Sequence, residues 1–190
     1  MKIALLVLAL LTLEAATLSD CALAQQPPRP EIAQRKRFDA TTARQLTALS
    51  QAAANKSIRG TCATLSGGSS ADRSLAAQVV AKDGGAQLYR VDVSSVVGKY
   101  IGETEKNLEL LFQRAEDKHW TLFFDDADAL FGKRTDVRDS NDRYANVDIA
   151  ALLQRIEQYQ GVVLLSSNAP EKIDPAVARR CAPVRAATLP

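Results

Sequence analysis

The chain has 190 residues, of which 46% are hydrophobic and 24% charged, which suits one medium domain with a proper core. The formal net charge of +2 is spread along the sequence, so nothing in it points to a nucleic-acid partner or an acidic membrane surface. No cysteine pair or histidine group has metal-ligand spacing, and His119, the single histidine, precedes a strand and reads as structural.

Met1-Lys2 supplies a positive start, and Ile3 to Leu13 is apolar apart from Thr12. With Ala22-Leu23-Ala24 behind it, the pattern predicts a secretory signal peptide over residues 1–24, cut after Ala24. The alternative is an apolar helix kept in the mature protein. The run is too short for a stable membrane span once Glu14 interrupts it, and Asp20 spoils a lipoprotein site at Cys21. Export implies a periplasmic or secreted protein; without it the chain is cytoplasmic. Removal of the leader leaves Cys62 and Cys181, which in an oxidising compartment invite a disulfide and in a reducing one are plain buried thiols.

Gln25 to Pro30 reads as an extended linker, and Glu31 to about Lys56 as a helix, so that residues 25–58 precede the main domain. Arg59-Gly60 resets the backbone before a buried strand, Thr61 to Ser66. Gly67 to Ala71 follows as a flexible turn, with a helix from Arg73 to Ala81. A second strand runs from Gln87 to Val93. Gly98 and Gly102 bracket a loop carrying Tyr100 and Ile101. Glu103 to Lys118 is an amphipathic helix with Leu108, Leu111, Phe112 and Ala115 on one face.

The third strand, from Thr121 to Phe124, runs into Asp125, Asp126 and Asp128. Adjacent carboxylates at the carboxyl end of a buried strand suit a hydrated Mg²⁺ and a steered water; the alternative is a solvated acidic turn. A charged loop from Thr135 to Asp142 and a helix from Tyr144 to Gln158 come next. Gly161 to Ser166 is a fourth strand, Asp174-Pro175 opens a short helix through Arg180, and Val184 to Thr188 is a fifth strand. Strands alternating with helices predict an α/β fold whose central parallel sheet of about five strands is flanked by helices.

The turn after the first strand sets backbone N–H groups and a helix start where an anion would sit. Against the phosphate-loop pattern G-x-x-x-x-G-K-[ST], the segment Gly67-Gly68-Ser69-Ser70-Ala71-Asp72-Arg73-Ser74 keeps the first glycine and the final hydroxyl. Asp72 stands for the second glycine and Arg73 for the lysine.

From about Arg59 to the end, the chain resembles the core of the AAA-type P-loop ATPases. Leu88-Tyr89-Arg90-Val91-Asp92 and Val97-Gly98-Lys99-Tyr100-Ile101-Gly102-Glu103-Thr104 are similar to that family's second strand and first pore loop. Phe123 to Arg134 is similar to its Walker B segment, whose second acid is ordinarily Glu. Ser166-Ser167-Asn168 resembles the sensor on the fourth strand, and Ile173 to Arg180 the arginine-finger helix.

The resemblance implies ATP and Mg²⁺ as cofactors, with Gly67 to Ser74 around the phosphates and Ser74 with Asp125 on the metal. Asp126 would polarise the attacking water and Asn168 would orient it. Arg179 and Arg180 would reach the γ-phosphate of a neighbouring subunit. Tyr100 and Ile101 would line a pore and grip a polypeptide. A homo- or hetero-oligomeric ring with a polypeptide substrate or partner follows. The family's sheet order would bring Cys62 and Cys181 near each other for a disulfide, the alternative being two separate thiols.

The departures weigh on activity. Asp72 opposes an anion where the backbone must approach phosphate. Arg73 is not a conservative replacement for Lys and is placed to pair with Asp72 and occupy the pocket. Asp126 is one methylene short of Glu, and the family's helical lid is not found in residues 59–190. The expectation is an AAA-type core with impaired or absent hydrolysis, acting as an oligomeric interaction or scaffold subunit. The rival is a working ATPase that remodels polypeptides.

Overall fold

The computed structural model describes residues 37–55, 57–96, 102–128 and 149–189. The leader, the linker, Tyr100, Ile101, the charged loop and the start of the helix expected from Tyr144 lie outside the described residues.

Helix α1, Ala40–Ala54, is capped by the Asp39 carboxylate, which accepts from the Thr41 and Thr42 N–H groups. It does not continue back through Arg37, because Asp39 is in extended geometry and Phe38 forms an antiparallel bridge with Thr188. Strand β1, Thr61–Ser66, leads through Gly67, Gly68 and Ser69 into α2, Ser70–Asp83. The helix starts three residues ahead of the expected Arg73. Ser69 and Asp72 close a capping box that satisfies the first orphan N–H groups there.

Strand β2 is Gln87–Val91 and is followed by a short helix α3, Val93–Val96. Helix α4, Glu103–Lys118, begins after Gly102 at φ 82 and ends on His119 at φ 53, both left-handed. Then come β3, Trp120–Phe124, helix α5, Ile149–Gln158, and β4, Val162–Ser166. Helix α6, Pro175–Arg180, has Asp174 as its cap and Pro175 in its first turn, where the missing N–H costs nothing. Strand β5 is Ala182–Arg185, two residues ahead of the expected start.

The five strands form one parallel sheet in the order β2-β3-β4-β1-β5. Its central strands are buried on both faces, so their side chains alternate between two apolar clusters. Leu122, Phe124, Val163 and Leu165 join Leu108 and Phe112 of α4 and Leu152 and Ile156 of α5. Phe123, Leu164 and Ala63 join Leu46 of α1 and Ala76, Val79 and Val80 of α2. Phe123 is fully buried, and cutting such a ring back to alanine costs about 3–5 kcal/mol.

Two features finish the β5 side. The register pairs Ala63 with Ala182, so the preceding residues are neighbours, and Cys62 and Cys181 are joined by a disulfide with Cα atoms 4.6 Å apart. The outer edge of β5 faces α1, where Gln45 Nε2 donates to the Pro183 carbonyl at 3.3 Å and the Thr42 hydroxyl lies 2.8 Å from the Arg185 carbonyl oxygen.

Candidate functional site

The carboxyl ends of β1, β3 and β4 bring three polar segments together: the turn from Gly67 to Ser74, the acids from Asp125 to Asp128, and Ser166 to Asn168. Adjacency follows from the strand order, since β4 lies between the other two. Two backbone bonds stitch the ends: Ala127 N–H donates to the Ser166 carbonyl at 2.8 Å, and Ser167 N–H to the Leu65 carbonyl at 3.0 Å.

Arg73 lies at the centre. Its side chain is buried, with 2% of the residue exposed, and its three nitrogens make four hydrogen bonds. Nε donates to Ser166 Oγ at 2.8 Å, and Nη1 donates to the Gly68 carbonyl at 3.2 Å and the Gly67 carbonyl at 3.4 Å. Nη2 donates to Asn168 Oδ1. All four acceptors are neutral, and none of the described ion pairs involves Arg73. A buried guanidinium is kept by such dense donation, because each hydrogen bond from a charged group contributes about 1.5–3 kcal/mol.

Asp72 does not pair with Arg73. Its carboxylate accepts from Ser69 N–H and Ser69 Oγ, both at 2.8 Å, and from the Thr188 hydroxyl at 2.9 Å. These bonds, led by the Ser69 N–H, hold the Asp72 carboxyl below its ordinary range, with a smaller contribution from Arg37. Asp72 N–H is taken by Ser69 Oγ at 3.2 Å and Arg73 N–H by the Ser69 carbonyl at 3.2 Å. Ser70 and Ala71 are exposed in the first turn of α2. Ser74 Oγ faces Gln78 Nε2 at 3.5 Å on the same helix.

On the acid side, Asp125 is engaged by Arg90 of β2 in an ion pair. Asp126 sits at φ 52, a left-handed geometry that Asp tolerates better than most residues and that often marks functional turns. Asn168 Nδ2 donates to Asp126 Oδ1 at 3.1 Å, so Arg73, Asn168 and Asp126 form one continuous chain. Asp128, named in the sequence with the other two acids but given no role of its own, accepts from Ser167 Oγ at 2.6 Å and Asn168 N–H at 3.1 Å. Its signal was the spacing Asp126-Ala127-Asp128, in which the buried alanine turns both carboxylates toward the end of β4.

The structure therefore brings Arg73, Asp126 and Asn168 together and leaves Ser74 and Asp125 with different partners. The two arginines of α6 also differ. Arg179 is exposed, and its Nε donates to the Pro175 carbonyl of its own helix at 3.1 Å. Arg180 is tied inward, donating to Glu157 Oε1 at 3.1 Å and to the Gly60 carbonyl at 2.8 Å. A cavity of about 160 Å³ lined by Gly84, His119, Trp120 and Gly161 is at the opposite, amino end of the strands. Among the described residues, no group of three or more His, Cys, Asp or Glu side chains has metal-binding geometry, and no helix is long and apolar enough to cross a membrane.

Comparison with known proteins gives a consistent result. Residues 63–188 match the family model described as "ATPase family associated with various cellular activities (AAA)". The chain is 35% identical over 109 residues to the ATPase family gene 2 protein of Schizosaccharomyces pombe, a match covering 56% of this chain and 14% of that protein. It is 35% identical over 112 residues to the 26S proteasome regulatory subunit 7 homolog B of Arabidopsis thaliana, covering 56% of this chain and 24% of that one. It is 32% identical over 112 residues to the proteasome-activating nucleotidase of Pyrococcus furiosus, covering 56% and 28%. The matched segment spans less than a third of the length of each of these relatives.

Proposed function

The chain belongs to the AAA family of ATPases, and on that premise we propose that it is a member with impaired or absent hydrolysis that serves as an interaction subunit of an oligomer. Arg73 carries this reading. Its guanidinium lies among the groups where the family resemblance puts nucleotide phosphates, and it uses the acceptors of the turn and of Asn168. Part of the donor set is spent as well, since the N–H groups of Ser69, Asp72 and Arg73 have partners within the turn. A phosphate chain would compete for those N–H groups and for the space that the buried Arg73 guanidinium fills, which argues against a nucleoside triphosphate in the site as arranged.

The metal side points the same way. With Arg90 on Asp125 and Ser74 turned to Gln78, the pair that would hold Mg²⁺ is engaged elsewhere. Loaded with Mg-ATP, such a site would supply phosphoryl transfer to water; here Asp126 and Asn168 instead hold Arg73 in place. Oligomerisation rests on the family, whose members form rings. Arg179 supports it, because an exposed cation on a short helix is free to meet a neighbour's anionic group. We further propose residence in an oxidising compartment outside the cytoplasm, supported by the Cys62–Cys181 bond and by the apolar leader.

Thermal melting with and without Mg-ATP tests the central claim. An unchanged midpoint at millimolar nucleotide is expected, and a saturable rise would favour the rival reading, a polypeptide-remodelling ATPase. Fractionation of the tagged chain tests the compartment, with recovery in the cytoplasm counting against export.

A further inference from the structure

Arg73 fills the turn from within, and a second element closes it from outside. Beyond β5 the chain crosses back over the turn. Ala186 N–H donates to the carbonyl of Ser66, the last residue of β1, at 2.7 Å. A Cβ on Gly68 would lie 2.9 Å from the Ala186 carbonyl oxygen and 3.1 Å from Ala187 Cα, so segment and turn touch backbone to backbone. Thr188 then donates its hydroxyl to Asp72. On its other side the segment is anchored to the amino-terminal part of the domain: Thr188 bridges Phe38, and Leu189 N–H donates to the Arg37 carbonyl at 2.6 Å. Ala186 and Phe38 are both buried, so this is a packed layer and not a trailing end.

We propose that Ala186–Leu189 is an intramolecular strap that holds the turn between β1 and α2 closed, with the bond from the Thr188 hydroxyl to Asp72 as its clasp. The proposal rests on the reading of the site given above and adds its regulation. The Asp72 carboxylate does two jobs: it completes the cap of α2 and it binds the strap. For the turn to free its N–H groups, Asp72 must release Ser69, and the strap biases it against doing so. The outer anchor is the β-bridge at Phe38 with the carbonyl of Arg37 beside it, so another extended chain pairing there in place of Thr188 would lift the strap and loosen the turn.

Amide hydrogen exchange on the full chain tests this, comparing wild type with Thr188→Val and Thr188→Ser. The valine variant keeps shape and removes the hydroxyl, and it should speed exchange at Ser69, Asp72 and Arg73 by about tenfold relative to Val163–Leu165. The serine variant keeps the hydroxyl and should exchange as wild type does. Unchanged turn amides in the valine variant would overturn the strap, as would equal acceleration of the turn and the central strand. The two readings fail separately. A melting shift with Mg-ATP removes the filled site without touching the exchange result, whereas unaltered exchange removes the strap and leaves Arg73 in place.

Discussion

The two ends of the sheet are finished by opposite chemistry. At the amino end, Cys62–Cys181 is a covalent bond, Tyr159 packs edge-on to Phe112, and Arg180 clamps Gly60 to Glu157. At the carboxyl end, the groups from Arg73 to Asp128 are held by hydrogen bonds among polar side chains and turn backbone. The first arrangement resists change because a covalent bond and an apolar ring contact stand beside the polar clamp of Arg180. The second is satisfied only while every partner is present, so one substitution leaves several groups without a partner. Cross-linking is concentrated at one end and mutually dependent hydrogen bonding at the other.

The comparison breaks most readily at the disulfide. Replacing Cys62 and Cys181 by serine removes a cross-link between residues 119 apart in sequence, and loss of about 2–5 kcal/mol is expected in denaturant unfolding. A loss no larger than that of a carboxyl-end variant would erase the distinction. Next comes Arg73→Ala, which leaves Ser166, Asn168 and two carbonyls without their donor; a loss of about 1–3 kcal/mol is expected in the same measurement. Tyr159→Phe follows, since the hydroxyl donates to the Trp120 carbonyl, and about 1 kcal/mol is expected from thermal melting. Burial pushes this hydroxyl well above the ordinary tyrosine range, with Glu116 adding to the rise, so it stays a donor throughout the accessible pH range.

The smallest effect is set by pH. Asp39 and Asp72 both have carboxyls lowered from 3.8, Asp39 chiefly by the Thr42 N–H and Asp72 chiefly by the Ser69 N–H. A depressed carboxyl contributes stability that is full above its unfolded value and is lost as pH falls through the folded one. Melting midpoints should therefore be flat from these two groups near neutrality and fall below pH 3.8. The double variant Asp39→Asn, Asp72→Asn should flatten that fall.

The strands and the amphipathic α4 were legible because periodicity and burial fix them locally. Glu103–Lys118 and Thr61–Ser66 match the expected bounds. The carboxyl end was harder to read. Asp72 and Arg73 looked like a pair because they are adjacent, but successive residues on a helix point about 100° apart, so one reaches the strap and the other the core. Strand β5 was expected from Val184 but starts at Ala182; at the sheet's edge a proline is tolerated, and pairing with Thr64 recruits Pro183. Ala186 to Thr188, expected in the strand, instead join Leu189 in the segment proposed as the strap, which no local pattern announces. The role of Asp128 was hidden for a similar reason, as its partners Ser167 and Asn168 are 39 and 40 residues away in sequence.

The strand order has a consequence for how the chain reaches this state. β1 is flanked by β4 and β5, so neither of its edges can be paired until residues about a hundred positions later are available. β2 and β3 can pair early, but β1 must wait with both hydrogen-bonding edges open. Long-range parallel pairing of this kind folds slowly and leaves sticky intermediates. During that interval α1 and α2, which pack against each other close in sequence, are the elements available to cover β1. Assembly is thus completed from the last strands inward, and a chain interrupted before β4 would present β1 as an open template for association with other molecules.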